Sequence, residues 1–388
     1  MGLYKMFSKR TNWVFSSNRL VMLLDSLKKD KEKIIDLTQS NPTECGFYYP
    51  KEEILGALSN SGNLVYSPAS KGMLSAREIV SEYYKDKGYE VDPDSIFLTS
   101  STSEGYLFLF RLLADPGDRV LFPGPSYPLF EVLTQLNDLE LVTYPLQYDN
   151  WSLDKALFDE VSPDAKAIVV VNPNNPTGSF VDEADLGIIN GSCLNTGAAI
   201  ICDEVFLDYV FDDKAKPKSL VGNKTSLTFV LGGLSKALGM PQMKLAWIVV
   251  NGPDRLVEEA KKRLEIIADT FLSVNTPSQN ALGKWMKCKP FIQKDIVMRV
   301  RDNKKVVQSM ISGSNKFKLL EAQGGWYSVL RLSGSVDEEE FCYELLSKKK
   351  VFVHPGYFFD FSEGAHIVIS LLPQKEIFEK GMNALCIE

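Results

Sequence analysis

From about residue 71, short apolar runs alternate with stretches of helical periodicity. The runs fall at 96–99, 120–122, 141–142, 167–171, 199–202, 227–231 and 245–250. They are rich in Val, Ile or Leu and lack polar alternation, the pattern of strands buried on both faces of a mainly parallel sheet. Helices are predicted at 71–88, stopped by Gly88, at 103–114 and at 127–137, with Asp115-Pro116-Gly117-Asp118 as a turn. This alternation predicts an α/β fold: a three-layer α/β/α large domain around a mainly parallel sheet. Near residue 281 the pattern changes to a long charged helical stretch, an apolar run at 326–332, a helix near 337–350 and a last run at 366–371. These predict a smaller α+β domain. A helix at 18–29 leading into a strand at 34–37 opens the chain. The expected division is a large domain over 45–280 and a small domain built from 1–44, including an N-terminal arm, and 281–388.

Composition narrows the class without naming a chemistry. The chain has 388 residues, long enough for two packed domains with sizeable cores. Its net charge of −7 argues against nucleic acid as a partner. No apolar run reaches the roughly 18 residues of a membrane span. Cys45, Cys193, Cys202, Cys288, Cys342 and Cys386 form no CxxC pair, and only two histidines accompany them, so a zinc cluster is not expected. Scattered cysteines read as reduced thiols in a cytoplasmic setting. Residues 1–24 hold Lys5, Lys9, Arg10 and Arg19 with no acid, a composition shared with transit peptides. The helix directly following favours an N-terminal arm of the folded protein. Met1-Gly2 begins like a myristoylation signal, but Met6 stands where Ser or Thr is required.

In open α/β sheets ligands bind beyond the carboxyl ends of the strands, so the residues following each apolar run are the ones to read. After 96–99 comes Ser100-Ser101-Thr102-Ser103, four hydroxyls and free N–H groups at a predicted helix start. This suits an anion such as phosphate, although Ser and Thr are also ordinary helix caps. After 167–171 comes Asn172-Pro173-Asn174-Asn175-Pro176-Thr177-Gly178, a dense set of turn residues. After 199–202 comes Asp203-Glu204, and a carboxylate at the end of a buried strand needs a positive partner. After 227–231 comes Gly232-Gly233-Leu234-Ser235-Lys236. Burial lowers a lysine's pKa and makes it nucleophilic toward an aldehyde.

These four segments, in this order, resemble the class I/II aminotransferases, pyridoxal-phosphate enzymes of fold type I. The resemblance extends over nearly the whole chain and includes Tyr66-Ser67-Pro68 and Pro123-Gly124-Pro125-Ser126-Tyr127-Pro128. It implies pyridoxal 5'-phosphate as cofactor and a small amine or amino acid as substrate, with amino-group transfer to a keto acid or aldehyde. Lyase, decarboxylase or cyclase chemistry on the same scaffold is the alternative. By the resemblance, Lys236 holds the cofactor as a Schiff base and shuttles the α-proton. Asp203 keeps the pyridine nitrogen protonated. Asn175 donates to the ring's phenolic oxygen, and Tyr127 stacks on the ring. Ser101, Thr102, Ser103 and Ser235 surround the phosphate. Tyr66 reaches across a dimer interface to the partner's phosphate, which implies a homodimer with shared sites.

The chain departs from the family pattern at four places. Phe206 stands where a tyrosine usually donates to the phenolic oxygen, and phenylalanine cannot donate. Gly233 replaces a serine. Lys244 replaces an arginine near the phosphate, keeping the charge without the fork. Val368 occupies the place of the arginine that grips the substrate's α-carboxylate. Either the substrate lacks that carboxylate, or another cation such as Arg331 or His366 binds it, or the register of this late strand is displaced.

Overall fold

The structure is a computed structural model that describes residues 6–13, 18–212 and 217–386. Thirteen strands occur among them. A short β1 (Ile35–Asp36) precedes the strands of the large sheet: β2 (Ile96–Thr99), β3 (Arg119–Gly124), β4 (Glu140–Pro145), β5 (Ala165–Val171), β6 (Ala199–Asp203), β7 (Thr228–Gly233) and β8 (Ala246–Asn251). The remaining five are β9 (Phe317–Leu319), β10 (Tyr327–Leu332), β11 (Val351–Phe352), β12 (His354–Pro355) and β13 (His366–Ser370).

The large sheet has the order β2-β8-β7-β6-β5-β3-β4. Only β8 runs against its neighbours; the other pairings are parallel. Both faces are buried, as the unbroken apolar runs require. Ala167, Val169 and Val171 of β5 join one core with Ile201, Phe229 and Ile248, beneath the helices Thr102–Leu113 and Asp254–Phe271. Ile168 and Val170 point the other way, into a second core with Ile200, Val230 and Trp247. That second core continues into the C-terminal part of the chain. Its Val329, Ile367 and Val368 come from the four-stranded sheet β12-β13-β10-β9.

The first segment joins the last one. β1 pairs in parallel with β11, and the Ser370 N–H donates to the Leu37 carbonyl at 2.7 Å. Asn18 caps the helix Arg19–Lys29 by accepting from the Val21 N–H at 2.8 Å. Residues 1–5, where the myristoylation reading falls, and 14–17 lie outside the described residues. The long charged stretch is one helix, Thr276–Ile311, so the boundary expected at residue 281 falls inside a continuous element. Among the described residues no helix is long and apolar enough to cross a membrane.

Candidate active site

The carboxyl ends of β2, β5, β6 and β7 open on one cleft of about 320 Å³. Its wall is completed by residues far away in sequence: Ser40, Tyr127 and Tyr327.

At the end of β2, Ser101 caps the helix Thr102–Leu113, its hydroxyl accepting from the Glu104 N–H at 3.2 Å. The Glu104 carboxylate reaches back to the Ser100 N–H at 2.7 Å and to the hydroxyl of Ser273 at 2.6 Å. This turn is therefore held by its own carboxylate, while Ser101, Thr102 and Ser103 face the cleft. Gly105 lets the helix press against the sheet, since a Cβ there would stand 2.9 Å from Leu231.

The Asn172–Gly178 turn is built by division of labour. Asn172 accepts from the Val181 N–H at 3.1 Å, and Asn174 donates to the Pro125 carbonyl at 3.0 Å. Asn175 is left facing the cleft, buried, its Oδ1 without a partner among the described residues. Gly178, at φ +72°, is pinned by Gln323 and Gly324, whose N–H groups both donate to its carbonyl at 2.9 Å. A Cβ on Gly178 would lie 2.3 Å from the Gly324 carbonyl oxygen, so the contact requires glycine. The pin brings Tyr327 to the same cleft as Asn175, with the buried Trp326 beside the Lys236 ammonium.

Asp203, at the end of β6, is buried. Its Oδ1 accepts from the Val205 N–H at 3.1 Å and its Oδ2 from the Tyr106 hydroxyl at 3.2 Å. Burial pushes its pKa up to about 6, while these donors and the Lys236 charge oppose the rise. Such a carboxylate is suited to a cationic partner.

Lys236 follows β7 in the short helix Leu234–Ala237. Its ammonium lies 5.6 Å from the centre of the Phe206 ring and 5.4 Å from that of Trp326. This apolar surrounding lowers its pKa, with Asp203 opposing. The Tyr209 hydroxyl donates to its carbonyl at 2.6 Å, and Gln293 donates to the Ala237 carbonyl at 2.7 Å. Ser235 and the exposed Lys244 also line the cleft. Gly233 has a steric cause: a Cβ there would meet that of Ala246 at 2.9 Å, leaving no place for a serine.

The residues present fit pyridoxal 5'-phosphate. A helix N-terminus with three hydroxyls faces a cleft that also holds a lysine of lowered pKa, a buried carboxylate short of a cation and the side-chain amide of Asn175. The family model for aminotransferase class I and II matches residues 32–379. The chain belongs to the class I and II aminotransferases. It is accordingly a pyridoxal-phosphate-dependent enzyme of amino-group transfer. It is 27% identical over 371 residues to the glutamate-pyruvate aminotransferase AlaA of Haemophilus influenzae, covering 92% of this chain and 91% of that one. It is 28% identical to an alanine aminotransferase of Mycobacterium bovis, covering 89% and 83%. The solved structure of an alanine aminotransferase from Pyrococcus furiosus superposes with a TM-score of 0.87 at 25% identity, covering 97% and 98%.

Ten positions were expected at the site of this aminotransferase. Ser101, Thr102, Ser103, Tyr127, Asn175, Asp203, Ser235, Lys236 and Lys244 meet at the one cleft. Tyr66 does not. It is 77% exposed and borders a separate hollow with Ser70 and Gln279. Sequence reading missed Ser40, Tyr106 and Tyr327. Tyr106 left no signal, because the Asp203 it touches is 97 residues away.

The two cations suggested as substitutes for the missing arginine are not at the cleft. In the β10–β13 pairing, Tyr327 lies opposite Ser370, Val329 opposite Val368 and Arg331 opposite His366. All six share one face, but each step of two residues moves roughly 7 Å along the strand. Arg331 and His366 are thus the pair furthest from Tyr327. Arg331 points outward against Gly364. His366 is buried and stacks on Phe361 at 4.5 Å. Burial and the Arg331 charge push its pKa down to about 4, so it carries no charge at neutral pH.

Proposed function

We propose that this aminotransferase takes its amino group from a primary amine that lacks an α-carboxylate, and that it works as a homodimer in the cytoplasm. The observation that carries the substrate reading is Val368. It is fully buried on the same sheet face as Tyr327, one residue pair from it, at the position where the resemblance to the family puts the carboxylate-binding arginine. Among the described residues lining the cleft the cations are Lys236 and Lys244. Lys236 is assigned to the cofactor aldehyde and Lys244 to the phosphate.

Bound pyridoxal 5'-phosphate supplies an electron sink that makes the proton on the amine-bearing carbon acidic. The chain's own groups do the rest. Asp203 holds a proton at the ring nitrogen. Asn175 donates to the phenolic oxygen. Ser101, Thr102, Ser103, Ser235 and Lys244 hold the phosphate, and Tyr127 covers the ring. Lys236 Nζ carries the proton between carbon positions. Tyr66 is assigned to the partner subunit's site, which accords with its exposure and its distance from its own cleft. The cytoplasmic setting is supported by six free cysteines. We also keep the proposed division into a large domain over 45–280 and a small domain from the two chain ends, with the helix Thr276–Ile311 spanning the junction.

The names of the relatives favour a second reading, an alanine or glutamate donor. Absorbance scans of the half-reaction decide between the two. Simple primary amines are expected to convert the cofactor to its amine form, at least about tenfold faster than alanine or glutamate, the scale set by losing roughly one charged hydrogen bond. Faster conversion by alanine overturns the amine reading. Release of ammonia or pyruvate without accumulation of the amine form points instead to a lyase.

A further inference from the structure

Asp203 is held by two donors of different kinds. The Val205 N–H on Oδ1 is main chain and belongs to any strand end of this shape. The Tyr106 hydroxyl on Oδ2 is a choice of side chain, made on the helix that also carries Ser101, Thr102 and Ser103. Tyr106 is 2% exposed, and its ring is fixed edge-on against Phe130 at 5.3 Å. Its hydroxyl therefore has one orientation and faces the carboxylate and the cleft.

We propose that Tyr106 is a positioning residue for the reaction: it fixes the plane of the Asp203 carboxylate and sets that group's affinity for the proton it shares with the cofactor's ring nitrogen. A hydrogen bond donated to the ionised form favours that form. With Val205 and Tyr106 each holding one oxygen, the carboxylate cannot rotate away from the cleft. The other charged or titratable groups facing Asp203 are few. Lys236 stands across the cleft and Tyr127 lies beside it. Glu204, its chain neighbour, is engaged elsewhere, accepting from the Ser219 hydroxyl and the Leu220 N–H, both at 2.6 Å. The flanking strand residues Val171 and Leu231 are apolar. Tyr106 is thus the one polar side chain bonded directly to Asp203 among the described residues. It also couples the two ends of the cofactor site: one helix presents the phosphate turn at its first residues and, one turn later, the hydroxyl that steadies the carboxylate under the ring.

The test compares the native chain with Tyr106→Phe and with 3-fluorotyrosine placed at residue 106, whose more acidic hydroxyl donates more strongly. Difference infrared titration of the cofactor-free protein follows the carboxyl band that is absent in Asp203→Asn. The midpoint is expected to rise in Tyr106→Phe and to fall with fluorotyrosine. A carboxylate released by Tyr106→Phe can turn away from the cleft, so this variant is also expected to retain pyridoxal 5'-phosphate more weakly. A purely structural tyrosine would not order the three midpoints in this way. Equal Asp203 midpoints in native and fluorotyrosine proteins overturn the proposal. So does an unchanged cofactor dissociation constant in a folded Tyr106→Phe variant.

Discussion

Tyr209 donates its hydroxyl to the main-chain carbonyl of Lys236 at 2.6 Å. Lys236 is thus anchored through its backbone, not its side chain, by a residue 27 positions earlier. Tyr209 is fully buried, and its ring rests edge-on against Trp326 at 4.9 Å. Removing the hydroxyl leaves a buried carbonyl without its donor. Tyr209→Phe is expected to lose about 1–3 kcal/mol of stability in denaturant titrations. An unchanged unfolding midpoint would show that water replaces the hydroxyl.

The raised pKa of Asp203 predicts the pH dependence of the cofactor-free protein. The folded-state value of about 6 lies above the ordinary value of 3.8. A group raised in this way stabilises the fold below its ordinary value, and that contribution is lost as pH rises through about 6. The loss amounts to about 3 kcal/mol between pH ~4 and ~7. Glu204, pushed up to about 7 by burial, adds a loss of the same sign. Asp203→Asn isolates the first contribution. The stability difference between native and Asp203→Asn should therefore fall across that window. A difference that rises with pH contradicts the assignment.

Phe206 bears on how the bound cofactor holds its proton. The residue is 3% exposed and lies edge-on to Trp326 at 5.2 Å. It offers no donor to the cofactor's phenolic oxygen, so the deprotonated form lacks one hydrogen bond. Phe206→Tyr is expected to lower the pH at which the cofactor's absorption band shifts. A spectrophotometric titration in which the variant shifts at the same or a higher pH refutes this.

Two serines of the phosphate turn should separate by what they do for the chain. Ser101 caps its helix, whereas no helix cap depends on Ser103. Ser101→Ala is expected to cost about 1 kcal/mol of stability and to weaken cofactor binding. Ser103→Ala should weaken binding alone. Denaturant midpoints and cofactor dissociation constants, measured side by side, check the pair.

Much of this site could be read from the order of residues along the chain, for a geometric reason. Parallel strands bring their carboxyl ends to one edge of a sheet, so Ser101, Asn175, Asp203 and Lys236 converge once each is seen to follow an apolar run. What could not be read depends on distance through space. The reach of Tyr106 to Asp203, of Tyr209 to Lys236 and of Gly324 to Gly178 is set by packing between elements far apart in sequence. The alternation along β13 put His366 and Val368 on one face, but gave no measure of how far along the strand the cleft extends. Helix starts drifted by one to three residues, in the second of these helices because Ser101 and not Ser103 makes the capping bond.

The central claim is that Lys236 carries the cofactor in this cleft. Borohydride reduction of the protein loaded with pyridoxal 5'-phosphate, followed by peptide mass mapping, tests it most directly. The account predicts that the reduced cofactor is fixed to the peptide containing Lys236, and that Lys236→Ala shows no stable label. A label on Lys244 or another lysine in the native protein, or none at all, would contradict it.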